Sequence, residues 1–426
     1  VRCRNRQGSQ PAYLLHQVRR DGEDTWVFLA RGKNPESPDE DPGEVLEFVF
    51  AGAFDVEELD TLSGQTRQLP VHVENGRTVL LRRWFLHDSL LLRLKQQCGR
   101  QTQASSRPAE RLLCLTERPE YCFEPVRLRL DEPNAAVLDM AQYALDGGEY
   151  RPVEELLRLD NLLRRELRLP QQSRDVVQPY CLREEKPGHT LRLKFTFYSE
   201  LWIQGAHLAL EDRSKRKIFV NGVFLSSEPD GWYVDKAIET VPLPPLQVGE
   251  NTIELELPFG KGTFTEWCYL LGDFGVRVEG IRKTLTAPVR RAAFGSLTGQ
   301  GLPFYTGNLT YSYDFQADGN VLIRIPRYRG ACAAVRVDGS PWQSIVCSPY
   351  AAEFHDVGPG KHTLEIKLYN TRQNGFGPLH FTGSIPCEQH PNAWRTTGGR
   401  WTYEYQLKEY GVLSSPEIYR IEAENG

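Results

Sequence analysis

The sequence predicts a mainly β protein: tandem antiparallel jelly-roll β-sandwiches, preceded by a small β-domain and carrying one amphipathic helix. Three observations predict it. Short runs alternating apolar and polar residues recur along the chain, bounded by Gly, Pro, Asn and Asp. A single stretch, near residues 152–167, has helical periodicity. The last half reads as two copies of one pattern, with "IFVNG" (218–222) answered by "VRVDG" (335–339) and "GENTIELEL" (249–257) by "GKHTLEIKL" (360–368). Neither copy leaves room for the helical crossovers that parallel strands require.

Residues 1–97 are expected to form the small β-domain. Its strands are "TWVFLA", "EVLEFVF" and "RTVLLRRWFL", punctuated by Asp21-Gly22 and Asn75-Gly76. The Pro- and acid-rich stretch 33–43 reads as a solvated loop, and the polar stretch 98–124 as a linker. Residues 125–187 are read as a strand-helix connecting segment packing on a sandwich. In its helix, "PVEELLRLDNLLRREL", Pro152 suits the first turn and Glu154 and Glu155 suit the positive end. Leu156, Leu159, Leu163 and Leu167 make the apolar stripe, while Arg164, Arg165 and Arg168 are placed on a solvated face. Residues 188–283 and 284–426 are the two jelly rolls. Near the end of the second, "WTYEYQL" alternates like a half-buried strand, with Trp401 directed to the core.

Composition excludes several function classes. At 426 residues the chain exceeds what one core usually organises, and its 51 basic against 56 acidic residues give a net charge of -5. Without a clustered positive field, nucleic acid is not an expected partner. No apolar run approaches the ~20 residues of a membrane-spanning helix. The chain starts at Val1 and has one methionine, Met140, so an upstream segment with any targeting signal is expected to be missing. Nine cysteines without a CxxC pair read as reduced, mostly buried thiols, which favours a bacterial cytoplasmic location over an oxidising one.

A longer match runs through "GWYVDKAIETVPLPPLQVGENTIELELPF" (231–259), "CYLLGDFGV" (268–276), "GQGLPFYTGNLTYSYDF" (299–315) and "NTRQNGFGPLH" (370–380). In this order the motifs resemble the galactose-binding-like, sugar-binding jelly rolls of family 2 glycoside hydrolases. They resemble still more the non-catalytic sandwich region of large bacterial α-L-rhamnosidase-like proteins of family 106. The resemblance covers about residues 125–420, and residues 12–97 more loosely through "ELDTLSGQTRQLP" (58–70). It implies a C-terminal region that supports an upstream catalytic barrel and binds carbohydrate. The eight βα units of such a barrel are not in this sequence. Two alternatives stay open: a free-standing carbohydrate-binding module, and a complete glycosidase with its site between the sandwiches.

Sugars offer an apolar ring face to flat aromatics and hydroxyls to planar polar groups. Two regions have that composition. The first, "DGWYVD" and "TEWCY", offers Trp232, Tyr233, Glu266 and Trp267; the second, "NTRQNGFGPLH" and "NAWRTTGGRW", offers Asn370, Arg372, Asn374, His380, Trp394, Arg395 and Trp401. Glycoside hydrolysis needs two carboxylates facing each other roughly 5 to 10 Å apart. Glu200, Glu266 and Asp273 lie near aromatics but read as separate edge or turn carboxylates, so no catalytic residue is assigned. His355-Asp356 with Ser348 lacks a nucleophile elbow and is not read as a triad. Structural calcium is the one cofactor the pattern admits, through Asp230, Asp235 and Asp338 near turns, although Asx turns account for the same residues.

Overall fold

Alternation gives each strand one apolar face, and in the computed structural model those faces are stacked in three cores. The structure describes residues 1–33, 43–61, 64–97, 118–172, 186–383, 391–395 and 398–421. Most of the expected linker 98–124 and of the loop 33–43 lies outside them.

The first core forms between a four-stranded sheet (Arg2–Asn5, Glu44–Ala51, Arg77–Trp84, His72–Glu74) and a five-stranded one (Leu14–Asp21, Asp24–Arg31, Ser89–Gln96, Phe54–Leu59, Thr66–Gln68). Val27, Leu29, Phe48, Val56, Trp84 and Leu92 fill it. The second and largest core lies between a five-stranded sheet containing Asn134–Leu138, Cys268–Gly272 and Asp235–Pro242 and an eight-stranded sheet centred on His189–Ser199 and Gly249–Phe259. The pairings between strands are antiparallel except for His189–Ser199 with Arg282–Thr286. The third core is wrapped by a seven-stranded sheet in which Leu309–Arg324 and Ala351–Tyr369 pair along their length. Register shifts at Ala317, Gly319 and Val321 divide these long strands, so one half pairs with Val126–Leu130 and the other with Glu417–Ile421. The chain is therefore mainly β and built of several antiparallel sheets, as its sequence predicts.

The helix departs from expectation at its start. Residues Arg151–Glu155 form a strand, and the helix (α1) runs Leu156–Glu166. Pro152 thus lies in an outer strand, where a missing N–H is tolerated. Glu155 is the N-cap, its two oxygens accepting from the N–H groups of Leu157 and Arg158 at 3.0 Å each. Leu156, Leu159 and Leu163 are buried as the stripe requires. Arg164 is not on a solvated face: it is 1 % exposed, bonds Asp160 at 3.1 Å, and donates to the carbonyls of Pro170, Lys261 and Thr263. Loops crossing over the helix cover what its charge pattern presents as surface.

The "WTYEYQL" run is also corrected, since its described residues form only an isolated bridge, Phe381 with Trp401, and no strand. Its rings turn to neighbours instead. Trp401 stacks on His380 and lies under the Arg158 guanidinium, while Tyr405 packs on Phe304. Among the described cysteines none is in a disulfide; Cys3 and Cys268 are buried, Cys122 and Cys332 half-buried and Cys347 exposed.

The turn-strand pattern occurs three times, not two. Asp146-Gly147, Asn221-Gly222 and Asp338-Gly339 each have both residues at positive φ, the geometry of a type I′ turn. In each, the first side chain accepts from a threonine N–H on the adjacent strand: Thr190 at 2.8 Å, Thr252 at 2.7 Å and Thr363 at 2.7 Å. The residue before the threonine makes a second bond to the same side chain: His189 and His362 face the second oxygens of Asp146 and Asp338 through Nδ1, whereas Asn221 donates its Nδ2–H to Asn251 Oδ1 at 3.1 Å. The third sequence copy is "GHTLRLKF" at 188–195. Asn221 keeps the threonine bond but donates where the aspartates accept, so Asp338→Asn is expected to keep the Thr363 bond, lose the charge-assisted one to His362, and cost less than Asp338→Ala. Asp338→Ala loses the bonds and strains the left-handed backbone, costing about 1 kcal/mol or more in urea unfolding.

Candidate functional site

Segments of the second core, the start of α1 and the C-terminal loops that pack on them converge on a cavity of about 390 Å³. Glu266 and Trp267 lead into the strand Cys268–Gly272, and Val234 and Asp235 open the strand Asp235–Pro242. Leu157 comes from the start of α1, Arg372 and Phe376 flank the one-turn helix α2 (Gln373–Phe376), and Trp394 ends the turn Pro391–Trp394.

One side of the cavity is aromatic. Tyr269 and Phe376 stack with centroids 4.8 Å apart, and Tyr233 packs against both at 5.4 and 5.7 Å. Trp267 and Trp394 stack at 6.1 Å with their planes 24° apart. The indole of Trp267 is held by its Nε1–H, which donates to Glu155 Oε1 at 2.8 Å. One carboxylate therefore caps α1 and orients a cavity wall. The Nε1–H of Trp394 is buried and has no partner among the described residues.

The other side is acidic. Glu211 and Glu266 both line the cavity and are half-buried, and neither makes a hydrogen bond or ion pair among the described residues. Burial pushes the Glu266 carboxyl up to about 7, with Glu211 adding to the rise and Arg395 and Arg216 opposing it. Burial likewise raises Glu211, against the pull of Arg216. Arg372 has its charge occupied, forking onto Glu132 at 2.6 and 2.7 Å and donating to Thr306 Oγ1 at 3.1 Å. At the rim Val234 has φ 62°, a left-handed conformation that is strained for a β-branched residue. It follows a register shift between Trp232 and Tyr233.

Away from the cavity lining, buried charges bind the C-terminal segment to the second core. Asp139, 0 % exposed, accepts from Lys283 at 2.8 Å, His380 Nε2 at 2.8 Å and Tyr405 Oη at 2.6 Å. His380 Nδ1 faces the Thr402 carbonyl at 2.9 Å. Both ring nitrogens meet acceptors, which suits an imidazolium. Burial alone would lower the His380 pKa, but the bond to Asp139 raises it above the usual value. For Asp139, burial is outweighed by Lys283 and His380, which hold its carboxyl well below the usual range. Asp160 pairs with Arg164 at 3.1 Å and Arg395 at 3.0 Å.

No family model matches the chain and no curated protein sequence is similar to it. Among solved structures it is similar to a rhamnosidase from Novosphingobium sp. PP1Y, with a TM-score of 0.39 and 12% identity over 95% of this chain and 24% of that one. It is also similar to a β-D-mannosidase from Dictyoglomus thermophilum, with a TM-score of 0.21 and 13% identity over 56% of this chain and 31% of the other. This chain thus spans about a quarter and a third of those proteins, and likenesses so loose carry no inference about its chemistry.

Of the residues selected from sequence, Glu266, Trp267, Arg372 and Trp394 meet at the cavity, although the sequence places them in different copies. Tyr233 is buried against its aromatic side, and Trp232 is 56% exposed at a neighbouring cavity. Asn370, Asn374 and His380 brace the loop instead. Asn370 donates to the Tyr305 carbonyl at 3.3 Å, Asn374 exchanges two bonds with the Lys408 backbone, and His380 joins Asp139. Glu200 pairs with Arg277 on the surface, Asp273 pairs with Arg290, and His355 faces Glu353 at 3.6 Å. Asp230, Asp235 and Asp338 accept from Thr240, the Ala237 N–H and the Thr363 N–H, and no cluster of three or more metal-ligating residues occurs among the described residues. Sequence reasoning missed Glu155 as the holder of Trp267, and Glu211 altogether, which "LALEDRSK" gives no reason to select.

Proposed function

We propose that the cavity between Trp267, Trp394, Glu211 and Glu266 binds carbohydrate, within a non-catalytic C-terminal region of a bacterial glycoside hydrolase that supports an upstream catalytic domain. The two half-buried carboxylates without partners among the described residues carry the binding reading. Their oxygens stay open to the cavity, so a ligand that lays an apolar face on an indole can donate hydroxyls to them in place of water, and the buried Trp394 N–H adds a donor. The accessory setting rests on the order of the strand motifs, not on the cavity.

A glycan array followed by titration calorimetry on the hits tests this. An ionised carboxylate is the stronger acceptor, so affinity for the bound saccharide is expected to rise several-fold from pH 6 to pH 8 as Glu266 loses its proton near pH 7. In Glu266→Gln the profile should be flat. An array without a hit would overturn the proposal.

One observation favours hydrolysis at the same cavity: Glu266 titrates near neutrality beside a second carboxyl, as a general acid requires. Turnover of aryl glycosides by this chain, lost in Glu266→Gln, would replace the accessory reading. Saccharide binding without turnover would sustain it.

A further inference from the structure

Next to the proposed site lies a larger cavity of about 630 Å³, formed where the strand Val126–Leu130 of the third core faces the second. Residues 231–235 run along both. Gly231, Trp232 and Tyr233 line the larger cavity, and Val234 and Asp235 line the smaller. The Arg372–Glu132 ion pair stands at the same junction, with Arg372 lining the smaller cavity and Glu132 the larger. Tyr233 lines the larger cavity while its ring packs on Tyr269 and Phe376 of the smaller.

The larger cavity shares with the smaller a tryptophan in its wall. Trp232, 56% exposed, lies on a short outer strand. Around it the polar groups are already engaged, Arg290 with Asp273, His207 with Asp230 at 2.9 Å and Arg129 with Asp131 at 3.3 Å, so they meet hydroxyls through the donor and acceptor positions those pairs leave over. A single small ligand is accommodated in ~300 to 1,000 Å³, which the smaller cavity already provides.

We infer that the two cavities are consecutive subsites for one extended oligosaccharide, with a terminal sugar in the smaller cavity against the stacked Trp267–Trp394 pair and the following units crossing the Arg372–Glu132 pair onto Trp232. This rests on the carbohydrate reading above and adds to it that the ligand is a chain. The second subsite contributes affinity only to ligands long enough to reach it.

The test is titration calorimetry of the full chain with one array-selected glycan prepared as a one- to four-sugar series. Affinity should increase at least tenfold from the single sugar to the longest member. Trp232→Ala should remove that increase, while Trp202→Ala, at an exposed tryptophan lining neither cavity, should retain it. Affinity independent of length, or a gain with length that survives Trp232→Ala, would overturn the two-subsite inference and leave the single-cavity proposal standing. Failure of every member to bind would remove both.

Discussion

Asp139→Ala should destabilise the protein by about 3 to 5 kcal/mol, the largest stability loss expected from any single substitution considered. Asp139 is fully buried and is the common acceptor for Lys283, His380 and Tyr405. Its removal leaves two buried cationic groups with no carboxylate between them. The chain contains three cores, so unfolding need not be two-state. Hydrogen exchange then locates the loss, which should fall on residues around His380 and Tyr405 before it reaches the first core. An unchanged denaturation midpoint and unchanged exchange there would contradict the role assigned to Asp139.

The same cluster sets a pH window. His380 has its pKa raised in the fold, so its contribution is complete below the unfolded value of about 6.5 and is lost as pH rises through the raised one. Asp139 has its pKa depressed, so its contribution is present above about 3.9 and is lost as pH falls through the depressed value. Both are complete between about pH 4 and 6.5. Asp139→Asn keeps the shape without the charge and should flatten the dependence on both sides.

The sheets were legible because their signals are local. A strand such as "HTLEIKL" shows its buried face through period-two alternation, and an Asn-Gly or Asp-Gly pair shows its turn through the backbone it permits. The third copy was less visible because "GHTLRLKF" follows its turn only after α1 and its flanking loops. Errors arose where distant contacts override local pattern. Glu155 looks like a residue within the first helical turn, yet its side chain caps α1 and bonds Trp267. Arg164 looks like surface until the carbonyls of Lys261 and Thr263 are brought to it. In "WTYEYQL" Trp401 turns to His380 and Tyr405 to Phe304 while Tyr403 stays exposed, and alternation alone does not say that a neighbouring strand exists. At the cavity, Trp267 and Trp394 are chemically conspicuous in the sequence, but their stacking is a property of how the C-terminal loops pack on the second core. Glu211 and Glu266 acquire their character from burial beside each other, which no spacing encodes.

Trp267→Ala is the substitution expected to affect ligand binding most. A buried aromatic anchor at the centre of a contact typically contributes about 2 to 4 kcal/mol, so saccharide affinity should fall about 30- to 1,000-fold. Trp267 has three connections that make it such an anchor: it stacks on Trp394, lines the cavity beside Glu266, and is fixed through Nε1 by a carboxylate that also caps α1. Its loss leaves Glu155 still bonded to the Leu157 and Arg158 N–H groups, so the helix start should survive. Circular dichroism should therefore be retained, while the unfolding midpoint falls through the lost packing of the indole and binding is lost. Trp267→Phe separates the two contributions of the indole. It keeps an aromatic face but not the Nε1–H, and an intermediate affinity would show that the hydrogen bond to Glu155 orients the ring for the ligand. If Trp267→Ala binds as wild type does, the cavity is not where the sugar sits, whatever saccharide the protein takes.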